Sequence, residues 1–253
     1  MTDEVKKLQV AETLKKAYVY MSLHERSLRP IWLIHFLFCA IFNFLPGGFS
    51  NPFSLIWSLA YYIFWCVFFR LYYQKRPYFC ASKICASAIP SSKMIFITFG
   101  LLFVLLILPF VPLLLGFHNK YLLVFERYMA ALQVPETSVF NVLIFSLIFL
   151  LISPFAFCRP YLAWISALQG YSGSIRKVFK KTTGNNIRFL SLIFLLNLPC
   201  FVAYGADVLL HCHGWFSVGF YSIYLIYFNI VFAKVYDFFY QQKKPQNKSE
   251  AED

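Results

Sequence analysis

Along the chain, apolar residues gather into long blocks parted by short polar or basic stretches, and six of the blocks are long enough to govern how the sequence is read. A helix needs about 20 apolar residues to cross a hydrocarbon core of about 30 Å. The blocks near 31–49, 52–73, 94–117, 139–158, 189–210 and 215–234 meet that requirement. They predict an all-α, polytopic membrane protein of six transmembrane helices in three hairpins, each hairpin preceded by a cytoplasmic segment. On this reading residues 1–29 form a cytoplasmic amphipathic segment, 30–240 a six-span membrane domain and 241–253 a polar C-terminal tail. No small-residue cleavage site follows the first block, so it is expected to be retained as a span and not removed as a signal peptide.

Two of the polar stretches have a helical period of their own. In VAETLKKAYVYMSL, residues Val10, Leu14, Ala17, Tyr18 and Met21 recur at helical spacing with Lys15 and Lys16 on the other side, which predicts a basic amphipathic helix. Before the fifth block, Ile175, Val178 and Phe179 form an apolar stripe opposed by Arg176, Lys177, Lys180 and Lys181. The two segments align at an offset of 161, with Lys16 on Lys177, Tyr18 on Phe179 and Cys39 on Cys200. A second echo is RPY, at 76–78 and again at 159–161, each time where a span is expected to leave the membrane. The middle segment, ASKICASAIPSSK, is much less basic.

Composition sharpens this picture. The chain is 60% hydrophobic and 13% charged, against about 25% charged in soluble domains. Its 31 phenylalanines suit lipid-facing helices and not base-stacking platforms, so no nucleic acid is expected as a partner. Of the 23 Lys and Arg residues, all but Lys120 and Arg127 fall on one side of the six-span topology. The positive-inside rule then predicts that both termini are cytoplasmic, in a cell inner (cytoplasmic) membrane. Of seven cysteines only Cys212 falls in an external segment, so no disulfide framework is expected. Cys80 and Cys85 match no zinc spacing.

The stretch GSIRKVFKKTTGNNIRFL, 173–190, carries the most suggestive polar chemistry. A Walker-type phosphate loop needs glycines first and then Lys with Ser or Thr. Here the lysines precede the glycine, and no Gly-Lys pair occurs in the chain. Helix grammar accounts for every residue instead: Lys180 and Lys181 in a last turn, Gly184 at a left-handed stop, and Asn185 or Asn186 capping the next helix. The run QGYSGSIRKVFKKTTGNNIRFLSLIFLL resembles the cytoplasmic loop and following span of bacterial six-span proteins of the YciC-like group and of the membrane domain of glycerophosphoryl diester phosphodiesterase, and TLKKAYVYM resembles their opening helix. The resemblance implies a six-span bacterial membrane protein and brings no general activity with it. The soluble phosphodiesterase domain has no room in this chain.

Other candidate chemistry is sparse. Asp207, His211 and His213 in ADVLLHCHGW are weak metal candidates, with ligand types that suit Zn²⁺ or Cu⁺. Polar helix ends meeting water explain them more simply, and neither a metal nor a cofactor is predicted. Asn43, Asn141, Ser146, Asn197, Asn229 and Asp237 are the polar groups in or beside the spans. None is a mid-depth ionisable carrier of the kind that proton and ion pathways use. No catalytic constellation stands out, and no enzyme is expected. Pro109, Pro112, Pro154 and Pro199 interrupt spans and, with Gly184, are the predicted hinges.

The reading is therefore a non-enzymatic integral inner-membrane protein in membrane organisation, assembly or lipid interaction. Lys15, Lys16, Arg176, Lys177, Lys180 and Lys181 would meet the anionic leaflet, and membrane lipids and other membrane proteins are the expected partners. The alternative is a small transporter or permease subunit that uses the proline-broken spans.

Overall fold

The computed structural model describes residues 7–44, 52–107, 151–210 and 215–240, and every regular element among them is helical. In chain order these are α1 (Val10–Leu23), α2 (Glu25–Phe44), α3 (Pro52–Tyr72), α4 (Ala81–Ile107), a π-turn (Pro154–Cys158), α5 (Arg159–Leu168), α6 (Ile175–Lys181), α7 (Asn186–Leu209) and α8 (Trp215–Tyr240). Among the described residues three stretches are long and apolar enough to cross a membrane: Ala81–Leu101, Leu151–Leu168 and Val218–Tyr240. Ile56–Tyr72 and Asn186–Cys200 are shorter apolar helices. The third predicted span after 107 and the start of the fourth lie outside the described residues, with Pro109 and Pro112.

Two helices organise the rest. α8 packs against α1, α2, α7 and α5, while α5 packs against α4, α6 and α3. Their shared core is aromatic: Trp65, Phe68, Phe69, Tyr161, Trp164 and Phe232 are buried together. The Tyr161 ring lies 5.0 Å from Trp164 and 4.9 Å from Phe232, and Phe69 meets Trp164 edge-on at 5.3 Å. Aromatic pairs of this kind contribute about 0.5–1.5 kcal/mol beyond the area they cover.

Polar side chains fix the helices in register. Tyr161 donates from its hydroxyl to Asn229 Oδ1, joining α5 to α8, and Asn229 Nδ2 returns to the Leu225 carbonyl at 2.6 Å. Trp164 Nε1 donates to the Tyr62 hydroxyl at 3.3 Å; that hydroxyl pairs with Ser87 Oγ at 2.6 Å, and Ser87 donates to the Ile84 carbonyl at 2.7 Å. One chain of hydrogen bonds thus links α5, α3 and α4. In α2, His35 is fully buried, with Nδ1 2.8 Å from the Ser222 carbonyl and Nε2 2.8 Å from the Tyr61 hydroxyl. Each bond gives a buried polar atom the partner that an apolar surround denies it.

Two boundaries differ from the sequence reading. α4 begins at Ala81, so the segment ASKICASAIPSSK, expected as a cytoplasmic segment before a span near 94–117, is already part of that helix. Ile84, Ser87 and Pro90 form its buried stripe at helical spacing, and small residues let α4 lie close to α5. At the other end of α5, RPY at 159–161 does not end a span: it continues the helix, and Arg159–Leu168 is buried throughout. RPY at 76–78 lies in the turn after α3, so the two copies are not structurally equivalent.

The offset of 161 aligns the elements themselves. α2 starts at Glu25 and α7 at Asn186, the residue it maps onto, while Ala17 and Val178, also matched, are both buried. α2 and α7 are therefore each preceded by a short helix whose inward residue sits at the same distance from the longer helix's start.

Candidate functional site

One turn, between α6 and α7, receives the segment that leads into α1. α6 is capped by Ser174, whose side chain accepts from the Lys177 amide, and ends with Lys180 and Lys181 in its last turn. Cations there face the helix's unsatisfied carbonyls. Gly184 then takes φ +78°, the left-handed conformation that L side chains enter at a cost. Gly173, before α6, has φ +58°, and a Cβ there would meet the Ala167 Cβ at 2.9 Å, so the approach to α5 requires glycine.

Arg159 holds this turn from beneath. Its side chain is buried, and Nε donates to Thr182 Oγ1 at 2.9 Å, Nη2 to Asn186 Oδ1 at 2.5 Å and to the Thr182 carbonyl at 3.4 Å, and Nη1 to the Pro154 carbonyl at 3.2 Å. The guanidinium carbon also lies 4.6 Å from the centre of the Phe179 ring and 5.2 Å from that of Phe155. Arg159 accordingly joins the π-turn at Pro154 to the start of α7. The π geometry and the arginine belong together, since a π-turn frees a carbonyl that a charged donor can take.

The upper side of the same turn holds the start of α1. The Leu8 amide donates to Asn185 Oδ1 at 2.7 Å, and Arg188 Nη1 donates to the Leu8 carbonyl at 2.6 Å. Leu8 itself is buried. The segment entering α1 is therefore clamped across α7's first turn, next to the end of α6.

Further along, Tyr227 of α8 donates to the Leu14 carbonyl at 3.2 Å, and Lys234 Nζ sits 4.6 Å from the Tyr20 ring centre and 5.4 Å from that of Tyr72. α1 thus lies along α8 with its polar face outward. Lys15 and Lys16 are exposed, Lys16 pairing with Glu12 at 2.6 Å, and Arg176, Lys177, Lys180 and Lys181 are exposed as well. Lys181 Nζ lies 4.1 Å over the Tyr240 ring. The inward stripe of α1 differs from the predicted one at one position. Tyr18 is 68% exposed, and Tyr20 turns toward α3 and α8 in its place.

The remaining candidates do not form a centre. Asp207 lies in α7, while His211 and His213 fall outside the described residues. Among the described residues no group of three or more His, Cys, Asp or Glu is placed to hold a metal ion. Pro199 lies within α7, which continues through it from Asn186 to Leu209.

Sequence reasoning missed the buried arginines. Arg70 donates to the carbonyls of Pro77, Tyr78 and Leu168, tying the 76–78 turn to the end of α5. The available signal was a lone arginine inside a long apolar run, where a charge must find internal partners. No family model, curated protein or solved structure matches the chain.

Proposed function

We propose that this chain is a non-enzymatic, six-span protein of the cell inner membrane with both termini cytoplasmic, acting in membrane organisation, assembly or lipid interaction. The observation that carries the reading is the clamp at Leu8, Asn185 and Arg188, which ties the segment leading into α1 to the turn after α6, while the basic residues of both helices stand exposed. Each helix offers exposed cations, and each Lys or Arg near an anionic leaflet contributes about 1 kcal/mol. The resemblance of 169–196 to the YciC-like six-span proteins points the same way.

Reversing Lys177, Lys180 and Lys181 to Glu tests the reading. In vesicles of mixed phosphatidylglycerol and phosphatidylcholine, the reversed protein should lose at least about tenfold of its enrichment in phosphatidylglycerol. Unchanged enrichment, with unchanged topology and protein level, would refute it.

A transporter or permease subunit is the second reading, favoured by the π-turn that Pro154 opens inside Leu151–Leu168. Maleimide labelling of Cys200, and of cysteines introduced around Pro109 and Pro154, separates the two. An aqueous path would expose these sites to reagent from one side, and a closed bundle would leave them unlabelled from both.

A further inference from the structure

α6 carries its positive charge without a counter-charge among the described residues. Arg176, Lys177, Lys180 and Lys181 are all exposed, four cations within six positions. The acids near the other exposed cations are already engaged, Glu12 with Lys16 at 2.6 Å and Glu25 with Arg29 at 2.8 Å. From 26 to 206 the described residues include no acid. Asp207 stands about 30 Å along α7 from the turn that follows α6, and Asp237 faces Tyr73. Like charges one helical turn apart repel, so this face favours any anion within reach.

The sequence holds such an anion just past the last described residue of α8. That helix ends at Tyr240, and Lys181 Nζ lies 4.1 Å from the centre of its ring, so the chain leaves α8 beside the C-terminal end of α6. Residues 241–253 read QQKKPQNKSEAED, with Glu250, Glu252 and Asp253 as the acids. Lys243, Lys244 and Lys248 come before them, so the segment is basic where it leaves α8 and acidic farther on. Only the farther part is attracted to α6.

The tether is long enough. Ten residues lead from Tyr240 to Glu250, and at about 3.3 Å per residue they span up to about 33 Å. The seven residues of α6 are about 10 Å long. A short tether also keeps a group at an effective concentration on the order of millimolar, which no free anion needs to match. α1 is the weaker target, because Glu12 already answers Lys16 there.

We infer that Glu250, Glu252 and Asp253 dock on the exposed cations of α6 in the same chain. The inference deepens the lipid-interaction reading above and rests on it for its consequence: these carboxylates and anionic headgroups compete for one set of cations. The tail then sets how strongly α6 meets the leaflet.

The test is zero-length carbodiimide coupling, which joins a carboxylate to a touching lysine as an amide, on the full chain in single-copy phosphatidylcholine nanodiscs. Peptide mass spectrometry should find Glu250, Glu252 or Asp253 joined to Lys177, Lys180 or Lys181. About 1 M salt, which shortens the screening length to about 3 Å, should cut that yield at least fivefold. The absence of coupling at α6 overturns the inference, as does a yield that salt leaves unaltered or coupling at Lys15, Lys75 or Lys83 in its place. The competition has its own measurement. Glu250→Gln, Glu252→Gln and Asp253→Asn together should raise enrichment in phosphatidylglycerol about fivefold in the mixed vesicles. Unaltered enrichment, with the reversal at Lys177, Lys180 and Lys181 still effective, overturns it. Contact and lipid reading can fail separately, because the coupling is read with no anionic lipid present.

Discussion

Arg159 shows how one side chain sets a local structure. A guanidinium buried among Phe155, Phe179 and Phe189 cannot be hydrated, so its donors are satisfied by Thr182, Asn186 and Pro154. Arg159→Ala would strand those acceptors and should destabilise the protein by about 3 kcal/mol, read as a lower unfolding midpoint in detergent. Arg159→Lys keeps the charge but loses the fork, and should recover only part of that loss. The sequence displayed the arginine but not its acceptors, because Thr182 and Asn186 lie 23 and 27 residues away. Outside the spans, Cys80 offers a second test. Its Sγ lies 3.4 Å from Ser82 Oγ, and hydrogen bonds from Ser82 and the Lys83 amide hold the thiol below its ordinary pKa. Alkylation of Cys80 should therefore rise at lower pH than for a free thiol. Ser82→Ala should move that rise to higher pH and slow the reaction at neutral pH.

Among elements, the turn from α6 to α7 was the most legible, since Lys180, Lys181 and Gly184 each have a local reason to stand where they do, whereas Asn185 and Asn186 accept from Leu8 and Arg159, far away in sequence. The left-handed φ at Gly184 predicts that Gly184→Ala costs about 1 kcal/mol and that Gly184→Asn costs less. Thermal unfolding of the two variants checks this order. The start of α4 was less legible. Ala81–Lys93 is too rich in small and hydroxyl residues to stand out as part of an apolar block, but such residues also permit close helix contact. Only the neighbouring α5 decides between these, and α5 is distant in sequence. In α1 the period was clear, yet Tyr18 and Tyr20 flank one helical edge. Which of them turns inward was set by Lys234 and Tyr72, outside the segment.

At the scale of the molecule, hydropathy read the helical class directly, while the meeting of distant segments was hidden from it. The contacts that matter most join opposite ends of the chain. Leu8 is bonded to Asn185 across 177 residues, and Leu14 to Tyr227 across 213. These separations carry a consequence for biogenesis. At roughly 5–20 residues per second, ribosomes need roughly ten to thirty-five seconds after Leu8 to complete the turn that receives it. During that interval α1 lacks its permanent neighbours, and its apolar stripe is open to any passing chaperone or leaflet. A chain halted after residue 210 should leave α1 open to added protease, whereas the finished chain should protect it. α1 is thus synthesised long before the elements that seat it, which makes its docking a natural checkpoint for completed insertion.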